Sequence, residues 1–194
     1  MDSIFTLPFS EYKVALILQN ELKKKDGYSL YIPLSRQQEG VDLIIHNLKT
    51  KKTLTIQIKS SRSYEGIPSK RNNRIVHQHS SWFNNFLYKY KEGIADYYVF
   101  FTPYPILSRG NGIKLDKTTP DKWWGFKSLL FSDNEMGTLL NEIKTKKGKV
   151  ESKFGFGFDE ENDSIYLTRG SDRPVLYTNN LLENKISELK QKLQ

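Results

Sequence analysis

The chain contains no cysteine among its 194 residues, which closes off several chemistries at once. Disulfides, thiolate nucleophiles and cysteine zinc sites are excluded. Histidine is scarce too, with only His46, His77 and His79. Alternate residues on a strand share a face, so His77 and His79 could form a metal pair, but too few further ligands exist to complete a zinc site. A phosphate or base contact suits these two histidines better. No apolar run is long enough to span a bilayer, and Met1-Asp2-Ser3-Ile4-Phe5 does not read as a signal peptide. A soluble cytoplasmic protein with no membrane partner is expected. There is no internal repeat and no low-complexity tract.

What is present suffices for one globular domain over residues 1–194. Hydrophobic residues make up 37% of the chain and aromatic residues 13%, enough for a sizeable core at this length. Basic residues outnumber acidic ones by 30 to 22, a formal charge of +8. Between positions 49 and 74, Lys49, Lys51, Lys52, Lys59, Arg62, Lys70, Arg71 and Arg74 stand against Glu65 alone. A second basic run holds Lys144, Lys146, Lys147, Lys149 and Lys153 against Glu151. Such concentration favours a polyanionic partner.

Periodicity and punctuation predict the elements. Ser10 caps a helix that carries Val14, Ala15, Leu18 and Leu22 on one stripe and stops at Asp26-Gly27. Strands are predicted over 28–33, 41–47 and 53–60, with a basic turn between the last two. Residues 61–79 read as a long loop, 82–90 as an amphipathic helix with Trp82 in the core, and 95–102 as a strand ended by Pro103. Residues 108–125 read as a loop in which Trp123 or Trp124 marks an interface. A helix over 134–147, a hairpin over 154–168 with an acidic tip, and a final helix over 179–194 complete the plan. It is a mixed α/β arrangement with antiparallel hairpins and one parallel pairing allowed by the crossover before Ala95.

Two of these strands carry polar groups inside apolar, β-branched runs. Asp42 sits in Val41-Asp42-Leu43-Ile44-Ile45. Gln57 and Lys59 sit two apart in Thr55-Ile56-Gln57-Ile58-Lys59, so they share one face. Burying a carboxylate and an ammonium costs several kcal/mol unless they are paired or bound. An acid, an amide and a lysine converging at a sheet edge suit a divalent metal and a phosphate. Asp42 is the principal candidate ligand, joined by the Gln57 side chain, the Ile58 backbone carbonyl and an acid from the first helix, Glu11 or else Glu21. Lys59 is placed to hold an attacking water or to stabilise a pentacovalent phosphorane. Ser60, Ser61, Arg62, Lys70, Arg71, Arg74, His77 and His79 are the candidate nucleic-acid contacts.

Helix with Glu11, strand, Val41-Asp42 strand, Gln57-Ile58-Lys59 strand, helix, strand: this order resembles the PD-(D/E)XK nuclease superfamily over about residues 10–102. Asp42 matches its metal-binding Asp, Lys59 its catalytic Lys, and Glu11 its first-helix Glu. Val41 stands where the name-giving Pro would be, and Gln57 replaces the second acid, as in Q-X-K branches that include Mrr-type restriction enzymes. The resemblance implies a restriction-endonuclease-like αβββαβ core, with residues 103–194 as a C-terminal elaboration. It implies a Mg²⁺-dependent endodeoxyribonuclease (with Mn²⁺ as a substitute), of restriction type and acting on DNA, with a homodimer as one arrangement. A junction-resolving or repair nuclease, a nuclease toxin, a nucleic-acid-binding module that has lost catalysis, and a basic interaction protein are the other readings.

Overall fold

Why Val14, Ala15, Leu18 and Leu22 line one stripe is answered by what they cover: a sheet whose alternate residues Leu43, Ile45, Leu54, Ile56 and Ile58 face them. The computed structural model describes residues 9–33, 40–65, 77–84, 86–106, 124–143, 153–168 and 176–194. Helix α1 spans Phe9–Glu21. Strands β1 (Tyr28–Tyr31), β2 (Leu43–Asn47) and β3 (Thr53–Ser60) form an antiparallel meander. The crossover after β3 contains β4 (Ser63–Glu65), β5 (His79–Ser81), β6 (Phe83–Asn84) and the one-turn helix α2 (Phe86–Lys89). Strand β7 (Tyr97–Pro105) then lies parallel to β3, with Gln57 beside Tyr98 and Lys59 beside Phe100. Strand β8 (Trp124–Ser132) runs antiparallel to β7, so the order is β1-β2-β3-β7-β8.

The remaining elements cover this mixed sheet. Helix α4 (Leu182–Leu193) puts Leu182, Ile186, Leu189 and Leu193 beside α1 on one face. The other face carries α3 (Asp133–Glu142), β9 (Lys153–Phe154), β10 (Phe156–Phe158) and β11 (Ile165–Leu167). There Phe100 meets Phe83, Phe86, Phe131, Phe154 and Phe156, with ring centroids 4.7–5.9 Å apart. Strands β11, β10, β5 and β4 pair into a second sheet over the first.

Several local expectations change. The segment 82–90 is not one helix. Phe83 is drawn into the aromatic cluster, β6 pairs with β9, and only Phe86–Lys89 is helical. Tertiary packing overrides an amphipathic pattern too short to propagate alone. Pro103 does not end its strand. Pairing of β7 with β3 stops at Phe101, and Pro103 lacks its N–H on that vacated side. Strand β8 was not expected. Its Leu129-Leu130-Phe131 run is buried on both faces and so shows no alternation. Two elements beyond residue 103 belong to the main fold, since β8 widens the main sheet and α4 shares a core with α1. The hairpin over 154–168 holds, with Phe156 paired to Leu167 and an acidic tip. Ser132 caps α3 through a reciprocal bond with Glu135.

Candidate active site

The meander turns the face of β3 opposite α1 toward Tyr98 and Phe100. Thr55, Gln57 and Lys59 lie on that face, all half-buried. Asp42 immediately precedes β2. Its N–H donates to Ile56 O at 2.8 Å, and its Oδ2 accepts from Ile58 N at 2.6 Å. Asp42 therefore caps the backbone of β3 between Gln57 and Lys59, and the three sequence-predicted polar residues meet at one end of the sheet. The Ile58 carbonyl points to the same lateral side as its N–H, toward Asp42.

Gly40 makes this approach possible. Its φ is +97°, and a Cβ there would lie 2.0 Å from Ile94 Cγ2 and 3.7 Å from Gln57 Nε2. Only glycine brings the chain onto β2 against those neighbours without strain. A glycine directly before a β-branched run was the available signal. Deeper along the same face, Asp96 Oδ2 accepts from Thr55 N and Thr55 Oγ1 at 2.7 and 2.8 Å, joining β3 to the start of β7.

The charged pair is held out of its ordinary protonation range. Burial pushes the Asp42 carboxyl up, and the Ile58 N–H and the Lys59 charge only partly reverse this. Burial pulls the Lys59 ammonium down; Asp42 opposes the fall and Lys89 adds to it. Opposite shifts on neighbouring groups mark a functional-site candidate. Lys89, in the last turn of α2, is an addition, because the expected longer helix gave no reason to aim it at Lys59.

Asp42, the Gln57 amide and the Ile58 carbonyl offer oxygen donors of the kind Mg²⁺ accepts. Among the described residues no group of three or more His, Asp or Glu side chains could hold a metal. Glu11 lies in the first turn of α1, at the same end of the sheet as Ser60, since the neighbouring Phe9 ring sits 6.1 Å from Phe101. Yet α1 packs on the face opposite Gln57 and Lys59. Glu11 thus reaches the correct end of the sheet from the other side. Glu21, at the far end of α1, is 3.9 Å from Lys190 Nζ.

The expected nucleic-acid contacts divide. Ser60 and Arg62 are exposed, and the Arg62 guanidinium lies 4.9 Å from the Tyr64 ring centre. Ser61 is a joint: its N–H donates to Phe101 O, and its Oγ donates to Arg62 O and accepts from Trp82 N. Lys70, Arg71 and Arg74 lie outside the described residues, as do Lys144 to Lys149. His77 is half-buried and stacked 5.0 Å from Tyr166, and burial lowers its pKa. His79 is a correction. It is fully buried between Tyr104 and Phe158, with Nε2 3.0 Å from Glu160 Oε1, so it serves the core and not a phosphate. Burial in an aromatic cluster is invisible in a His-Gln-His tripeptide. Trp124 is 55% exposed.

The basic cluster divides as well. Strands β2 and β3 run in opposite directions from the turn that joins them. Lys49, Lys51 and Lys52 therefore lie at the end away from Asp42 and Lys59, roughly 20 Å along the strands. The positive charge does not all gather at the site. No helix among the described residues is long and apolar enough to cross a membrane. No protein-family model, curated protein or solved structure matches the chain.

Proposed function

We propose that the protein is a metal-dependent endodeoxyribonuclease of restriction type that hydrolyses DNA phosphodiester bonds on a restriction-endonuclease-like core. One observation carries the reading. Asp42, at the start of one strand, caps the backbone of the next strand between Gln57 and Lys59, on a sheet in which β7 joins parallel to β3. Residues 9–105 thus supply helix, three antiparallel strands and a parallel fourth. A crossover of small strands and one helical turn takes the place of a single long helix.

Asp42, Gln57 and the Ile58 carbonyl would hold Mg²⁺ or Mn²⁺. Such an ion, when bound, activates water and neutralises phosphate charge. The chain's own residues do the rest. Lys59, with its lowered pKa, orients the attacking water and donates hydrogen bonds to the phosphoryl oxygens as negative charge develops there. Gln57 supplies an amide where a second carboxylate would add charge, so metal binding rests on Asp42. Lys89 adds positive potential beside the scissile phosphate. A homodimer would place one such site on each DNA strand.

Gln57 also favours a second reading: a neutral residue at that position suits a nucleic-acid-binding module of the same fold without catalysis. Supercoiled plasmid incubated with Mg²⁺ or Mn²⁺ separates the two. The nuclease reading expects metal-dependent nicking that disappears in Asp42→Ala and Lys59→Ala. Cleavage that survives both substitutions overturns the site, whereas DNA retardation with no cleavage by wild type under any divalent metal supports the binding module.

A further inference from the structure

Three separate segments meet at the end of the sheet away from Asp42. Leu48 N donates to Gly27 O at 2.8 Å, and a Cβ on Gly27 would lie 2.9 Å from Lys49 Cγ, so the Lys49 stem runs over the turn Lys24–Asp26. On the other side, Asn47 Nδ2 and Thr50 Oγ1 donate to Leu193 O at 3.0 and 2.5 Å, fixing the last turn of α4 against the β2–β3 turn. The segment before β1 brings Lys23 to Lys25, the β2–β3 turn brings Lys49, Lys51 and Lys52, and α4 brings Lys190 and Lys192. Against these eight lysines stand Glu21 and Asp26, leaving a net charge of +6 on one surface. Seven of the eight are exposed, and Lys190, which is half-buried, is the one that approaches Glu21, at 3.9 Å.

Lys51 is a second, independent sign. Its φ of +64° makes it the one residue other than glycine with positive φ among the described residues. That region suits glycine or asparagine, and a lysine is strained there. A strained position occupied by one more positive charge points to use of the charge. Leu48 is the one large exposed apolar side chain on this surface, too little to anchor in a bilayer, which needs an apolar face beside the basic one.

We propose that this lysine platform is an auxiliary docking surface for the phosphate backbone of duplex DNA, separate from the Asp42 site. Lysines spread over three elements make contacts that hold a duplex without reading its sequence. The platform goes beyond the nuclease reading and stands without it, because it requires neither metal nor cleavage.

The test is fluorescence anisotropy of a short DNA duplex in EDTA across a salt series, with wild type, the double variant Lys49→Glu/Lys52→Glu, and Lys51→Gly. The double variant is expected to lose about tenfold or more in affinity. The slope of log affinity against log salt should shrink by about 0.9 for each lysine contact removed. Lys51→Gly relieves the backbone, so it should melt no lower than wild type while its salt slope still falls. Unchanged affinity and slope in both variants overturn the proposal, as does wild type that does not bind the duplex. Binding to phosphatidylserine vesicles with the same lysine dependence, in preference to the duplex, overturns it in favour of a membrane surface.

Discussion

Replacing Asp42 by Asn and by Ala separates the structural duty of its carboxylate from the functional one. Oδ2 accepts the Ile58 N–H at 2.6 Å in a half-buried setting. Asp42→Ala orphans that N–H, which costs about 1–2 kcal/mol for a group of this burial. Asp42→Asn keeps an acceptor oxygen in place and removes a charge that burial disfavours, so it should match wild type within about 0.5 kcal/mol or exceed it. One kcal/mol moves the melting temperature of a chain this size by about 2–4 °C, so Ala should melt about 2–8 °C below Asn in metal-free buffer at pH 7. Magnesium then reports the functional duty. At a hundredfold excess over its dissociation constant a ligand stabilises by about 2.7 kcal/mol, and wild type alone should show such a rise. If Asn melts as low as Ala, the capping geometry is wrong. If both variants retain the Mg²⁺-dependent rise, Asp42 is not the ligand.

The pH dependence of the same site follows from its shifts. The folded Asp42 carboxyl titrates above its ordinary value, so its stabilising contribution is present below that value and is lost as pH rises through the folded one. Lys59 titrates below its ordinary value, so its contribution is present at high pH and is lost as pH falls through the folded one. Burial disfavours both charged forms, and Asp42→Asn should gain on wild type as pH rises from below the ordinary carboxylate value through the raised folded one in denaturant titrations; a constant difference would refute the burial argument. Lys185 is buried and bonded to Glu135 and to Glu188. Because both acids are partly exposed, Lys185→Ala should cost about 2 kcal/mol in urea denaturation and not the larger figure of a fully buried pair. Burial pushes the Glu135 carboxyl up, but hydrogen bonds from Lys185 and Ser132 outweigh it and hold the group below its ordinary 4.5. Wild type should therefore lose this contribution as pH falls below about 4.5, and Lys185→Ala should show a flatter acid limb. A Cβ on Gly155 would lie 1.9 Å from Ser81 O, a backbone atom that cannot swing aside. Gly155→Ala should cost more than about 3 kcal/mol or abolish folding, measured by circular dichroism melts.

The polar residues of the site were legible by their chemistry: Asp42, Gln57 and Lys59 set two charges and an amide among apolar, β-branched neighbours. The β2–β3 hairpin and the stripe of α4 were legible as regular patterns, since apolar and polar positions alternate along both strands and apolar residues recur at helical spacing along α4, whereas α1 carries the continuous apolar run 14–18. Strand β8 was hidden because burial on both faces erases alternation, and the crossover was misread because Phe83 answers to an aromatic cluster assembled from distant segments. The basic residues show a third case. Their abundance between positions 49 and 74 is a property of the sequence, but their direction is not.

The sequence by itself determined the charge, the absence of thiol chemistry, the amphipathic elements, and the spacing that puts Gln57 and Lys59 on one face. These are local or additive quantities, readable from neighbours in the chain. Only the tertiary structure decided that Asp42 caps Ile58, that Glu11 approaches from the opposite face, that His79 is sealed in the core, and that Lys49, Lys51 and Lys52 lie far from the site. Each depends on which strands pair, in what register and in what direction, and pairing is set by burial summed over the whole core.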